Sequence, residues 1–131
     1  MLHIKYKLAP SIHHGIGLFA DQNIQKNQLI YSASPLLDVN ISPEEFSKLS
    51  LSEQAEISYW GFLDKQSGLW HVDFDVSKFI NHSSAPNITQ DPISTETRLI
   101  ALKDISAGEE LTQNYLEFET KEDLKRRGIS T

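Results

Sequence analysis

Phe79-Ile80-Asn81-His82-Ser83-Ser84-Ala85-Pro86-Asn87 is the stretch on which the reading of the fold turns. Two apolar residues pin its start in a core, and a run of small polar residues with a proline between turn formers makes the rest an ordered loop. Asn81 brings an amide that both donates and accepts. His82 brings a ring that can do either, and the Ser83 and Ser84 hydroxyls can lock the loop onto its own backbone. Such a loop can hold a ligand, although Asn-His-Ser runs also serve as plain turns.

Around this stretch, 131 residues make one domain with a modest core. The absence of cysteine excludes disulfides, thiolate zinc sites and a cysteine nucleophile, and suits an intracellular protein. The longest apolar runs fall short of a membrane span. Met1-Leu2-His3-Ile4-Lys5 begins a strand-like alternation instead of a signal peptide, so a soluble, unprocessed chain is expected. Eighteen acids against 12 bases give a net charge of -6 and a pI near 5.3. That balance argues against a nucleic-acid backbone as partner and favours a basic peptide or cationic ligand.

Upstream, His3 to Leu8 alternates and Ala9-Pro10 ends it, which predicts a first strand. Gly15-Ile16-Gly17 then feeds an apolar strand, Leu18-Phe19-Ala20; its glycines permit close backbone approach to a ligand and equally suit a hairpin turn. Ile24 to Ile30 has an echo in Ile105 to Leu111. In both, an Asn or Gly able to take positive φ follows the Ile by three residues, which suggests one turn used twice.

Residues 28 to 39 read as two strand pieces bent at Pro35. Ser42-Pro43-Glu44-Glu45 opens a short helix with a capping box, and a second helical piece runs near Ser52 to Ile57. Tyr59 to Asp64 and Leu69 to Phe74 read as aromatic-rich, core-forming strands around a Lys65-Gln66-Ser67-Gly68 turn. Further strands are expected at 87–89 and 97–102. A C-terminal helix over 119–128 has its N-cap at Thr120, acids in its first turn and bases in its last. His71, Asp73 and Asp75 would share one face of a strand, and with His82 form the chain's best candidate metal site.

Gly15-Ile16-Gly17, Asn81-His82-Ser83 with Pro86-Asn87, and Gly108-Glu109-Glu110-Leu111-Thr112 leading to Tyr115 stand in a fixed order. Together they resemble a SET domain, the fold of S-adenosylmethionine-dependent protein lysine methyltransferases, from about residue 4 to 118. The resemblance implies a mainly β fold of several small sheets with short helices (a β-clip). In it, residues 79 to 87 and 110 to 115 cross in a knot-like arrangement near the C-terminus. It also implies S-adenosyl-L-methionine as cofactor and no metal. Gly15, Ile16 and Gly17 would offer backbone contacts, Asn81 would hold the methionyl amino end, and the His82 backbone would meet the adenine, with Phe118 packed on it. Tyr115 would be the catalytic tyrosine.

The substrate implied is a lysine on a basic protein or peptide such as a histone-like tail, with no direct nucleic acid and no membrane. Three departures stand out. Asn114 replaces the family's usual Asp, and Gln113 replaces the aromatic residue that helps set methylation degree. No cysteine-rich zinc segment follows, so Leu116, Phe118 and the C-terminal helix, or a second subunit in a homodimer, would have to close the site. Residues 34 to 75 are the variable insert expected to shape substrate choice. The lost features also leave a catalytically weak binding module as an alternative, and the compact form resembles bacterial or viral members delivered to a host cell.

Overall fold

The echoed turns meet each other. Ile24 and Ile105 exchange both backbone hydrogen bonds at 2.8 Å, and each turn is closed by a residue with positive φ, Asn27 at 69° and Gly108 at 95°. Both isoleucines are fully buried, so the repeated motif brings residues 81 apart in sequence into one core contact.

The computed structural model describes all residues, Met1–Thr131. In chain order it contains β1 (Tyr6–Pro10), β2 (Ile16–Ala20), β3 (Leu29–Ser32), β4 (Val39–Ile41), α1 (Pro43–Ser47), α2 (Leu51–Trp60), β5 (Phe62–Leu63) and β6 (Trp70–Val72). Then follow β7 (Asn81–His82), β8 (Ile88–Gln90), β9 (Arg98–Ala101), β10 (Thr112–Gln113) and α3 (Lys121–Arg126), with 3-10 turns at Val76–Phe79 and Tyr115–Glu117. The strands form three small sheets: the hairpin β1-β2, a five-stranded sheet in the order β3-β9-β8-β10-β7, and β4-β6-β5. The mainly β architecture expected from the sequence is therefore present. No helix is long and apolar enough to cross a membrane.

Several boundaries differ from expectation for identifiable reasons. The first strand runs through Ala9-Pro10 instead of ending there, because Pro10 pairs with Ile16 at the end of a two-stranded sheet, where a missing N–H breaks little of the ladder. Leu36-Leu37 is a turn and not a strand, with Leu36 91% exposed. The second helix runs on through Tyr59-Trp60, which the aromatic content assigned to a strand. Its start is fixed by a capping box between Ser50 and Glu53. It stops at Gly61, where a Cβ would lie 2.3 Å from the His71 carbonyl oxygen.

The twelve-residue buried cluster is aliphatic, centred on Leu18, Ile24, Ile30, Ile88, Ile105 and Leu111, and Tyr31 is its one aromatic member. The aromatics of residues 59 to 74, expected in that core, lie outside it. Tyr59, Trp60, Phe62 and Trp70 wall two cavities instead, as in the Phe46–Trp70 stack at 4.4 Å between α1 and β6, while Phe74 is exposed.

Ile105→Ala should therefore lower stability by about 3 kcal/mol, since the tightly enclosed site cannot collapse around the missing atoms. Leu36→Ala should change it by less than about 0.5 kcal/mol. Urea unfolding of both variants checks the contrast.

Candidate functional site

β10 lies parallel to both of its neighbours, with Thr112 beside Asn81, Gln113 beside His82, and Gln113 also registered on Ile88. The two remote stretches expected to meet thus lie side by side in one sheet. The Asn87 side chain reinforces the contact, donating to the Glu110 carbonyl at 2.8 Å and accepting the Thr112 N–H at 2.9 Å. Beyond β10 the chain turns at Tyr115–Glu117, capped by Asn114, whose side-chain oxygen accepts the Leu116 N–H at 3.0 Å. The amide at this position performs a capping role that an aspartate would also fill.

This turn sets Tyr115 against the loop. Its backbone N–H donates to His82 Nδ1 at 3.0 Å, its phenol donates to the Ile80 carbonyl, and its ring centroid lies 5.4 Å from that of His82. Burial raises the phenol's pKa well above its ordinary value, with the Arg127 charge opposing and Glu119 and Asp73 reinforcing the shift, so Tyr115 is a neutral phenol at any working pH.

Because His82 Nδ1 accepts this N–H, the neutral ring carries its proton on Nε2, a buried atom with no protein partner. Burial, and then the neighbouring His13, hold the His82 pKa below its ordinary 6.5.

Two cavities meet at Tyr115. The first, about 1100 Å³, is lined by Gly15, Ile16, Asn81, His82 and Tyr115 together with α2 and the end of α3. The second, about 600 Å³, is lined by Tyr31, Asp38, Phe62, His71, Asp73, Gln113, Tyr115 and Phe118, among others. Trp60, Lys78, Tyr115 and Arg127 face both and form the seam.

Most residues singled out in the sequence therefore gather around the first cavity. Gly17 stands just behind its wall. A Cβ there would fall 2.1 Å from Glu110 Oε1, which is already held by Ser11 Oγ at 2.7 Å and by Asn81 Nδ2 at 3.1 Å. Phe118 is elsewhere: it lines the second cavity, 4.3 Å from Phe62 and 5.2 Å from Tyr115, and is not on the first cavity's wall, where the adenine contact was expected. The 3-10 turn after Asn114 leads the chain to this position, beside Tyr115 and facing the second cavity.

Asn81 gives its Nδ2 protons to the carbonyls of His14 (2.9 Å) and Ile16 (3.2 Å) and to Glu110. Its amide plane is thereby fixed, and Oδ1, taken by no protein donor, is left as an acceptor for a cationic group. The Gly15 carbonyl accepts the Ser11 N–H at 2.8 Å, so this wall offers a polar ligand chiefly Asn81 Oδ1 and the buried His82 Nε2.

The second cavity holds a polar network. The Tyr31 phenol donates to Asp73 Oδ1 at 2.5 Å, with a carboxylate oxygen of buried Asp38 3.3 Å from the same hydroxyl. His71 meets Asn40 Oδ1 through Nδ1 at 2.7 Å and Asp73 through Nε2 at 3.0 Å. Oxygen atoms at both nitrogens favour the protonated ring. Burial alone would lower its pKa, but the hydrogen bond and charge of Asp73, aided by Asp38 and Asp64, outweigh that and raise it. Asp73 is held below the usual carboxylate value, because its bonds from His71 and Tyr31 outweigh the burial that would raise it.

The expected metal set of His71, Asp73, Asp75 and His82 is not assembled. β6 ends at Val72, so the alternation does not carry to Asp75, which accepts from Ser77 N at 3.0 Å and Leu2 N at 2.9 Å. His82 faces the other cavity. Asp38, His71 and Asp73 do converge, with ligand atoms within 4.8 Å, and all three are engaged in the hydrogen-bond network just described. Asp38 could not be read from the sequence, since only the β4–β6 pairing brings its neighbourhood to His71.

Residues 15–116 match the SET domain family model, and the chain belongs to the SET domain family. It is 33% identical over 112 residues to the histone-lysine N-methyltransferase EZH2 of Chaetomium thermophilum, a match covering 77% of the chain and 7% of that protein. It is 32% identical over 120 residues to the H3 lysine-4 specific histone-lysine N-methyltransferase of Schizosaccharomyces pombe, covering 81% of the chain and 12% of that protein. The chain thus spans a small part of either relative. Among solved structures, Chaetomium thermophilum polycomb repressive complex 2 bound to the inhibitor GSK126 superposes with a TM-score of 0.66 at 27% identity, covering 94% of this chain and 17% of that one. A form of the complex in an autoinhibited conformation bound to S-adenosylmethionine gives 0.64 at 28%, covering 95% and 17%.

The two histidines should titrate on opposite sides of 6.5. His71, with its pKa raised, contributes stability that is full below 6.5 and is lost as pH rises through the raised value. His82, with its pKa lowered, contributes stability that is present above 6.5 and is lost as pH falls through the lowered value. Histidine ring NMR titration, with stability measured across the same range, checks this. His71→Gln should remove the alkaline loss and keep the acidic one.

Proposed function

We propose that the chain is a protein-lysine N-methyltransferase using S-adenosylmethionine, acting on a lysine in a basic, histone-like segment. The observation that carries this reading is the placement of Tyr115 in the seam between two cavities, one suited to a zwitterionic cofactor and one walled by aromatic and acidic residues. The family fold and its histone-lysine methyltransferase relatives support it.

When bound, the cofactor supplies a sulfonium methyl group, open to in-line displacement by an amine. On this reading the backbone of Gly15 and Ile16, with Gly17 packed behind them, and Asn81 Oδ1 hold the cofactor's amino-acid end. The carboxylates of the second cavity, Asp38, Asp64, Asp73, Asp91, Glu96 and Glu117, draw in a cationic side chain. A lysine must then lose a proton whose ordinary pKa is about 10.4.

None of the four seam residues is a carboxylate and two are cations, so the charge pattern attracts the ammonium from outside and favours the neutral amine at the reaction point. The Tyr115 phenol, kept neutral by burial, orients that amine, and the walls of Trp60, Phe62 and Phe118 exclude water.

Mass spectrometry of basic peptides incubated with the protein and S-adenosylmethionine should reveal methyl units on lysine. Tyr115→Phe should lower the rate by roughly a hundredfold or more while leaving cofactor affinity largely unchanged. Cofactor binding without methyl transfer to any peptide would instead mark a binding module.

A further inference from the structure

The sequence gives Arg126 and Arg127 one role, as bases complementing the end of α3, but they point in different directions. Arg126 remains largely exposed and pairs with Asp123 within the helix. Arg127 turns inward. Its Nη1 lies 2.5 and 2.6 Å from the two carboxylate oxygens of Glu119, whose side chain is 1% exposed, and its guanidinium carbon is 5.7 Å from the Tyr115 ring centroid.

A buried pair of this kind loses in desolvation much of what it gains in attraction, so net stability alone does not account for it. Geometry does. The same Glu119 that anchors Arg127 donates its backbone N–H to the Tyr115 carbonyl at 2.8 Å, and buried Leu124 seats α3 against the core. Arg127 also lines both cavities, where its charge opposes the effect of burial on the Tyr115 phenol.

We infer that Arg127 is a positioning residue for Tyr115: anchored by Glu119, its guanidinium covers the ring face and holds the phenol in the seam. The tyrosine is then fixed at three places: its N–H by His82, its hydroxyl by Ile80 and its ring by Arg127. This rests on the methyltransferase reading for its consequence, though not for its geometry.

The test compares Arg127→Met alone with Arg127→Met combined with Glu119→Gln, in a chain carrying 13C-labelled tyrosine. The Tyr115 resonances are identified by their loss in Tyr115→Phe. The single variant should be less stable, because it strands a buried carboxylate, and the double variant should regain most of that loss. In the double variant the Tyr115 ring resonances should nevertheless shift and broaden. Its kcat should fall about tenfold, with cofactor affinity and peptide KM little changed.

A double variant with recovered stability, unshifted Tyr115 resonances and wild-type kcat would overturn the assignment. If the wild-type chain methylates no peptide, the proposed function fails, while the resonance comparison still decides whether Arg127 orders the ring.

Discussion

Asn87 donates to the Glu110 carbonyl and accepts from the Thr112 N–H, so one buried amide does for the start of β10 what another strand would do elsewhere. β10 is two residues long and cannot hold itself in a sheet by backbone bonds alone. Its backbone groups lie at the centre of the structure, where an unpaired donor or acceptor costs about 1–3 kcal/mol. The Asn87 side chain pairs the Thr112 N–H and, just ahead of the strand, the Glu110 carbonyl, and the Asn87 and Ser83 N–H groups pair the carbonyls of Thr112 and Gln113. The location of Tyr115 beside His82 follows from that arrangement.

The features legible in the sequence were those fixed by local geometry. The two turns with positive φ, the capping boxes at Ser42 and the cap at Thr120 depend on residues within a few positions of one another, and all are present. The loop of residues 79 to 87 was legible because its amide and turn formers have few other uses. Features set by distant contacts were not legible. Trp60 ends a helix because Gly61 must pass under the His71 carbonyl. Asp38 joins His71 through a sheet, while Asp75, two residues beyond Asp73, turns away to cap a 3-10 turn. Phe118 lines the second cavity because of the turn that precedes it. An inward arginine at the end of a helix looks, in one dimension, the same as an outward one.

Charge is distributed to match the two cavities. A net charge of -6 describes the whole chain, yet the seam carries Lys78 and Arg127, and the carboxylates lie on either side of it. Lys78 rests over the Trp60 ring, 5.6 Å from its centroid, so this cation too is held against an aromatic face. The average charge of the chain therefore does not describe the charge at the seam.

Between Tyr31 and Ile80 no hydrophobic residue belongs to the buried core, and neither α1 nor α2 buries a side chain. That segment is held by the Asp38, His71 and Asp73 network, by capped helix ends and by aromatic pairs at a cavity edge. Its local opening would uncover less oily surface than opening the main sheet, so it would carry a small heat-capacity change and a shallow dependence on denaturant. Acidity and ionic strength, more than temperature or urea, would then govern how often this half of the molecule breathes.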